Sequence, residues 1–567
     1  MTPSFNLVDE KWLPVVRRGP VRQEFLGLRD VLRKARECAG LLGATPPETA
    51  ALYRLLLAVL YRAFPLETGE ARDYEEHWRI LWNRGAFDAK RLDEYLEVWL
   101  GRFDLFHPER PFYQDARLQR SLESVSSLLP HAASGADATL FDHSVKNLRN
   151  RKSEEPESWT MTLTPAEAAR ALVMIHAYGP AGTKGRELQF KLGPCANGLL
   201  FFLEGDTLFE TLMLNLCDPD LRSYRLPARP DDRPAWEMDD PYEEHPNRPL
   251  GYIDYLTWQN RRVLLQPETS NGRIVVRKMM YAPGLSVGTA TQESGGEPVT
   301  NSVFNPQMHW RASTQASRSS RGSKEKRSHY PVRLEPGKAL WRDAEVLLRL
   351  PPDESKGRDK PPRCLAWVEG LVPSLLPIER VYRYLAFGAA GERGKDKTYY
   401  YRMEVMPLPL AYLKSEELLS RLSQGLRAAR TAGRALESSF PSAIYTLARL
   451  VVRPTTGDDE LAQAPSGDEG KSIVRLADSW SVERHYWSQL ELHFHQLVEN
   501  LSRESEQALA QWLRQVRRLA WESFEQAEDY AGHGLRGQRA VARARDQFHA
   551  DLARALGDHY SDEGEMA

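Results

Sequence analysis

The 567-residue sequence predicts an α+β protein, with a large mixed N-terminal domain over residues 1–405 and a C-terminal four-helix bundle over residues 406–567. Two observations carry that reading. Ahead of Pro407 and Pro409, short apolar strand-like pieces alternate with helical ones, punctuated by Gly and Pro. Beyond them, apolar residues fall at spacings of three and four over long stretches. The length asks for more than one hydrophobic core.

In chain order, Phe5 to Val16 and Val21 to Phe25 read as two strands joined by a turn at Arg17-Arg18-Gly19-Pro20. The period then changes. Thr45, with Glu48 three residues on and Pro46 in the first turn, forms a capping box for a helix reaching Phe64, whose buried stripe is Leu52, Leu55, Leu56 and Val59. Apolar pieces from about Leu188 to Leu203 alternate with Gly193, Pro194 and Gly198, and further strand-like pieces follow at Val263 to Leu265, Arg273 to Met280 and Ala366 to Val372. Four helical stripes then define the bundle. They are Leu418/Leu422/Leu426, Trp487/Leu490/Phe494/Leu497/Leu501, Leu509/Leu513/Val516/Leu519 and Phe548/Leu552/Leu556. The connection from Pro454 to Ser472, rich in Gly, Asp, Glu and Pro, reads as a mobile loop.

Composition narrows the function classes. Lys plus Arg number 76 against 78 Asp plus Glu, so any affinity for nucleic acid has to come from local clusters. The four cysteines, at 38, 195, 217 and 364, are too dispersed for a metal-binding pair or a disulfide framework, which points to a reduced cytoplasm. Charged residues stand among the first thirty in place of an apolar run, so no secretory leader is expected there. The most apolar helix, Ala51 to Phe64, carries Arg54 and Arg62 and falls short of the ~20 residues a span needs, so a soluble cytoplasmic protein without a membrane partner is expected.

Catalytic patterns are missing. Asp142-His143 runs in the wrong order for a metal-dependent HD nuclease, and His493 and His495 stand two apart on a predicted helix, facing different ways. Asp218 and Asp220 look like turn residues. Gly394-Lys395 lacks the glycine and the Ser or Thr that a phosphate-binding P-loop needs at positions 389 and 396. The expectation is a protein that is not an enzyme and needs no metal or cofactor.

Four segments point elsewhere. FNLVDEKWLPV (Phe5 to Val15), FDLFHPERPFYQ (Phe103 to Gln114), YLTWQNRRVLL (Tyr255 to Leu265) and RHYWSQLELHF (Arg484 to Phe494) resemble, in the same order, signatures of the CasA family. These are the large subunits of Cascade, the type I-E CRISPR surveillance complex. The resemblance spans most of the chain and implies recognition of the protospacer-adjacent motif (PAM) of double-stranded target DNA, the start of strand separation, and recruitment of a helicase-nuclease. It implies as partners the other Cascade subunits with bound CRISPR RNA.

Site residues follow from the same resemblance. Gly179, Ala181, Gly182, Thr183, Lys184 and Gly185 match the glycine loop that enters the PAM minor groove in that family. Read from the residues alone, glycine lets main chain approach a partner closely, and the minor groove offers little beyond an A·T-versus-G·C code. A plain helix-to-strand loop accounts for the same glycines. Phe141, Asp142 and His143 match a loop that anchors the subunit to the guide complex, and Phe141 alone could equally be a satellite core residue. Gly388 to Thr398 matches the hairpin that wedges the duplex open, but a lysine, Lys395, stands where the family carries glutamine, with Arg393 and Lys397 beside it.

Basic stretches add backbone candidates. Arg318, Arg321, Lys324, Lys326 and Arg327 lie in a serine-rich segment, while Arg427, Arg430 and Arg434 share one helix face and Arg536, Arg539 and Arg543 sit in an acid-free stretch. Each also reads as an ordinary solvated surface. Two rival functions remain open at this level: a stand-alone nuclease, and a protein-only assembly scaffold.

Overall fold

In the computed structural model the described residues are 3–20, 22–65, 71–118, 131–132, 162–184, 188–244, 248–287, 303–312, 329–335, 337–350, 359–391, 398–465 and 467–557. The chain divides into two compact units. One comprises Met1–Lys338, Leu350–Leu376 and Tyr382–Val405; the other comprises Ala339–Arg349, Pro377–Val381 and Met406–Ala567.

The first unit is mixed. Strands β1 (Leu13–Arg17), β2 (Arg22–Leu26) and β3 (Cys38–Leu41) form one antiparallel sheet in the order β2-β1-β3. Gly19, at φ +96°, makes the turn between β1 and β2. The first strand is shorter than expected: Phe5 to Trp12 turns instead, because the Asn6 side chain accepts from the Val8 N–H (3.0 Å) and Leu7 N–H donates to Phe103 O (2.9 Å). Its apolar residues are still core, with Leu7, Val8 and Trp12 fully buried.

The helix Pro46–Ala63 begins where Thr45 predicts it, with Thr45 Oγ1 accepting from Glu48 N at 3.3 Å. Glu48 does not close the box. Its carboxylate takes the Ala44 N–H (3.2 Å) and pairs with Arg170 at 3.0 Å. The reciprocal box occurs at Thr164 and Glu167, opening the helix Pro165–Tyr178. Burial on the Pro46–Ala63 helix extends well beyond the predicted stripe to Tyr53, Arg54, Leu57 and Leu60, as for a helix at the centre of a core.

Six further strands build two three-stranded sheets: β4-β9-β8 uses β4 (His131–Ala132), β8 (Arg261–Ser270) and β9 (Arg273–Pro283), and β13-β12-β7 uses β7 (Leu200–Glu204), β12 (Val381–Gly391) and β13 (Thr398–Pro409). Two small hairpins complete the set: β5 (Gly182–Lys184) with β6 (Leu188–Phe190), and β10 (Trp310–Ala312) with β11 (His329–Pro331). One predicted strand is wrong. Ala366 to Val372 lies mostly within the helix Arg363–Leu371, where Cys364, Leu365, Val368 and Leu371 recur at helical spacing and are buried.

The second unit is helical around four long helices, Glu416–Ala435, Val482–Leu501, Ser505–Glu528 and Leu535–Leu556. Tyr412 Oη donates to Val498 O (3.1 Å), Trp512 Nε1 to Gly425 O (2.8 Å), and Phe524 stacks on Phe548 at 4.5 Å. The Pro454 to Ser472 segment is not a bare loop: it contains the short helix Asp458–Leu461 and the start of Gly467–Ser479. Arg449, 5% exposed, explains this by donating to both Glu460 O and Gln463 O at 2.7 Å. None of the described helices is long and apolar enough to cross a membrane.

Candidate nucleic-acid interface

The glycine-rich segment is built as the base of a hairpin. The helix Pro165–Tyr178 ends when Gly179 N–H bonds back to Ile175 O (2.8 Å), and the chain then passes Pro180 and Ala181 into β5. Gly182 pairs with Phe190, Thr183 with Gln189 and Lys184 with Leu188. Gly185 lies outside the described residues. The sequence reading of a loop is therefore corrected: Gly182 to Lys184 form a strand, which fixes their main chain against a partner.

Below the hairpin, Gly193 N–H donates to Gly179 O (2.7 Å) and Cys195 N–H to Ala177 O (2.9 Å). The close approach that glycine permits is used here inside the protein. A Cβ on Gly179 would sit 2.7 Å from Cζ of Arg261, and one on Gly193 would sit 2.5 Å from Ala177 O. Gly179 is thus a seat for a guanidinium.

Arg261 is fully buried at the start of β8. Nη2 donates to Pro180 O (2.6 Å) and Nη1 to Lys191 O (2.8 Å), so one side chain grips both legs of the hairpin. Nη1 also reaches Asn260 O (3.0 Å) and the Asn260 side-chain oxygen, and the guanidinium lies 5.3 Å from the Phe190 ring centroid. The Asn260 amide donates to Leu192 O (3.3 Å) and Leu285 O (3.1 Å), tying the hairpin's exit to the end of β9.

Behind Arg261 sits His176, 2% exposed. Its Nε2 lies 2.9 Å from Tyr113 O, and its Nδ1 accepts from the Arg261 main-chain N–H at 3.4 Å. That arrangement needs the neutral ring protonated on Nε2. Burial, reinforced by the Arg261 charge and against the pull of the Tyr113 carbonyl, lowers its pKa to about 4. Sequence reasoning quoted Arg261 only as part of YLTWQNRRVLL and passed over His176 and Asn260. The usable signal was an Asn-Arg-Arg run opening an apolar strand, where charge is unexpected.

Three of the four signature segments meet at this bracket. FDLFHPERPFYQ supplies Tyr113 O to His176, and its Gln114 side chain accepts from Leu265 N–H (2.7 Å). FNLVDEKWLPV packs against Phe103 and gives Trp12 O to Arg170 on the same helix as His176 (2.9 Å). YLTWQNRRVLL also places Arg262 on buried Asp115 at 2.5 Å. RHYWSQLELHF belongs to the second unit, where Tyr486 Oη donates to Ala429 O (3.0 Å) and Trp487 lies under Arg342, 3.7 Å from its Cζ.

The other candidates are placed less fully. Arg393, Lys395 and Lys397 lie outside the described residues, between β12 and β13. The β12 strand is pinned to β7 from Arg383↔Glu204 to Phe387↔Leu200, with Phe201 and Tyr384 stacked at 5.0 Å. Phe141, Asp142 and His143, and Arg318, Arg321, Lys324, Lys326 and Arg327, also lie outside the described residues. The latter group falls between β10 and β11.

On the helical unit, Arg427, Arg434, Arg536 and Arg539 are exposed. Arg430 pairs with the largely buried Glu345, whereas Arg543 meets the exposed Asp458 at the surface. Among the described residues, no group of three or more His, Cys, Asp and Glu side chains is placed to hold a metal ion. All four cysteines are free and buried.

The family model for CRISPR-associated protein Cse1 matches residues 6–523. The chain belongs to the Cse1 family. CasA/Cse1 of Thermus thermophilus is 30% identical, with 98% of each chain covered. The crystal structure of Cse1 from Acidimicrobium ferrooxidans aligns with a TM-score of 0.73 at 26% identity, over 98% of both chains. A chain of a CRISPR RNA-guided surveillance complex shares the fold, with a TM-score of 0.66 at 21% identity over 96% of this chain and 99% of that one.

Proposed function

We propose that this Cse1-family chain is the large subunit of a type I-E Cascade complex in the cytoplasm, recognising the PAM of double-stranded target DNA and starting strand separation for R-loop formation. Its partners are the other Cascade subunits with bound CRISPR RNA, the target duplex, and the helicase-nuclease that it helps recruit. The β5–β6 hairpin, with its base held from behind by Arg261, is the observation that carries this reading. A short strand that opens on a glycine and is held at a fixed angle can press main chain into a minor groove, where degenerate edges suit a tolerant reader. Sequence beyond the PAM is then tested by guide pairing.

Strand opening is assigned to the β12–β13 hairpin, with Arg393, Lys395 and Lys397 in the sequence that joins its two strands. Unstacking costs a few kcal/mol per base step, and a rigid ladder beneath the tip is the mechanical requirement. Phe141, Asp142 and His143 anchor the chain to the guide-bearing subunits. Arg318, Arg321, Lys324, Lys326, Arg327, Arg427, Arg434, Arg536 and Arg539 are the phosphate candidates. The chain performs no chemistry of its own, and cleavage falls to the recruited enzyme.

The test is binding of PAM and scrambled duplexes by Cascade reconstituted with and without this chain. PAM preference that appears only with the chain supports the reading; equal binding of both duplexes refutes it and favours a protein-only scaffold. Metal-dependent cleavage by the purified chain would instead favour a stand-alone nuclease.

A further inference from the structure

We infer that Arg261 is a positioning residue for PAM discrimination, acting on the β5–β6 hairpin through main-chain carbonyls without touching DNA. The inference rests on the reading of that hairpin given above. The hairpin has three residue pairs, too short a ladder to hold its own direction. Between its first pair, Gly182↔Phe190, and the next main-chain tie below, Gly193 N–H to Gly179 O, the two legs are joined by the Arg261 fork, which spans Pro180 O and Lys191 O. The direction of the two paired strands is therefore set where that fork sits.

Two features fix the fork itself. Asn260 meets it with both its carbonyl and its side-chain oxygen while its own amide reaches Leu192 O and Leu285 O. Gly179 leaves room for it: an added Cβ would lie 2.7 Å from both Cζ and Nη2. A planar guanidinium can bridge two carbonyls at once, whereas an ammonium is a point charge on a flexible stem. Arg261→Lys should thus keep the buried cation yet lose the two-legged grip, and Gly179→Ala should displace the fork, whose guanidinium is intact, together with the end of the helix at Ile175.

Cascade reconstituted with Arg261→Lys, Gly179→Ala, the double variant, and Gly182→Trp is tested for PAM and scrambled-duplex affinity, with thermal melting of each purified chain. Arg261→Lys and Gly179→Ala should each lower the PAM-to-scrambled ratio about tenfold, the scale of one lost specific base contact. Scrambled-duplex affinity should stay within about twofold. The double variant should be no worse than either single one, since both break the same seat. If Gly182→Trp abolishes discrimination but Arg261→Lys and Gly179→Ala both retain the wild-type ratio, the positioning role is wrong and the hairpin reading survives. If Gly182→Trp leaves discrimination intact, the hairpin reading itself falls. Should Arg261→Lys fail to fold, Gly179→Ala alone decides: an unchanged ratio, or equal loss on both duplexes, overturns the inference.

Discussion

The two hairpins assigned to DNA are held in opposite ways: β5–β6 has three-residue strands gripped at the base by one buried side chain, while β12–β13 has strands of 11 and 12 residues, with β12 laddered onto β7. In the first, the two legs are bridged below a three-pair ladder by one fork and a few main-chain ties; in the second the hold is distributed over five pairs, Arg383↔Glu204 to Phe387↔Leu200, and over aromatic contacts such as Phe202 with Phe387 at 5.7 Å. A reader of groove edges has to be placed, and a prop has to resist load. The contrast teaches that single substitutions should uncouple reading from opening.

Acid gives the largest expected effect. His176 and His309 are buried with pKa values lowered to about 4, from an ordinary 6.5, chiefly by desolvation. The unfolded chain takes up these protons first, so stability should fall as pH drops from about 6.5 to about 4 and level off below, by ~3 kcal/mol per histidine. Denaturant melts across that range check this, and His176→Gln should flatten the slope. His309 follows Met308, which is bridged to Leu200 of β7, so acid should loosen both regions, and His176→Gln should restore amide protection at Gly193 but not along β7.

Phe387→Ala comes next. It removes a fully buried ring from the β12 ladder and should cost ~3–5 kcal/mol in denaturant unfolding, yet leave the PAM-to-scrambled ratio unchanged. Arg261→Met should cost less, ~2 kcal/mol, because it strands the Pro180 and Lys191 carbonyls; its ratio should nevertheless collapse. Equal loss of ratio in both variants would erase the distinction between the hairpins. Smallest is the joint replacement of Arg427, Arg434, Arg536 and Arg539 by Ala. Melting should not move, and the slope of log affinity against log salt should lessen by ~0.9 for each phosphate contact removed.

Local signals in the sequence were read well where chemistry is local. The Thr45 cap, the turn at Gly19 and the apolar stripes of the bundle each depend on neighbours within a turn or two, and each is found where the spacing puts it. The failures are tertiary. Ala366 to Val372 looked like a strand because a short apolar run has no decisive period, and Pro454 to Ser472 looked mobile because the Arg449 clamp lies outside it.

The candidate site shows the same division. The glycines were visible, but their use was not: Gly179 makes room for Arg261, which lies 82 positions away in sequence. Exposed arginine clusters drew the functional weight, since charge is normally read as surface. Arg430 and Arg543 prove to be ion-paired within the helical unit, while the buried Arg261, hidden in a signature segment, organises the hairpin.

The central claim is that main chain of the β5–β6 strand reads the PAM. The most direct measurement is the ratio of PAM to scrambled-duplex affinity for Cascade carrying Gly182→Trp, with assembly monitored in parallel. The account predicts full assembly and a ratio near one. A wild-type ratio in the assembled complex would contradict it.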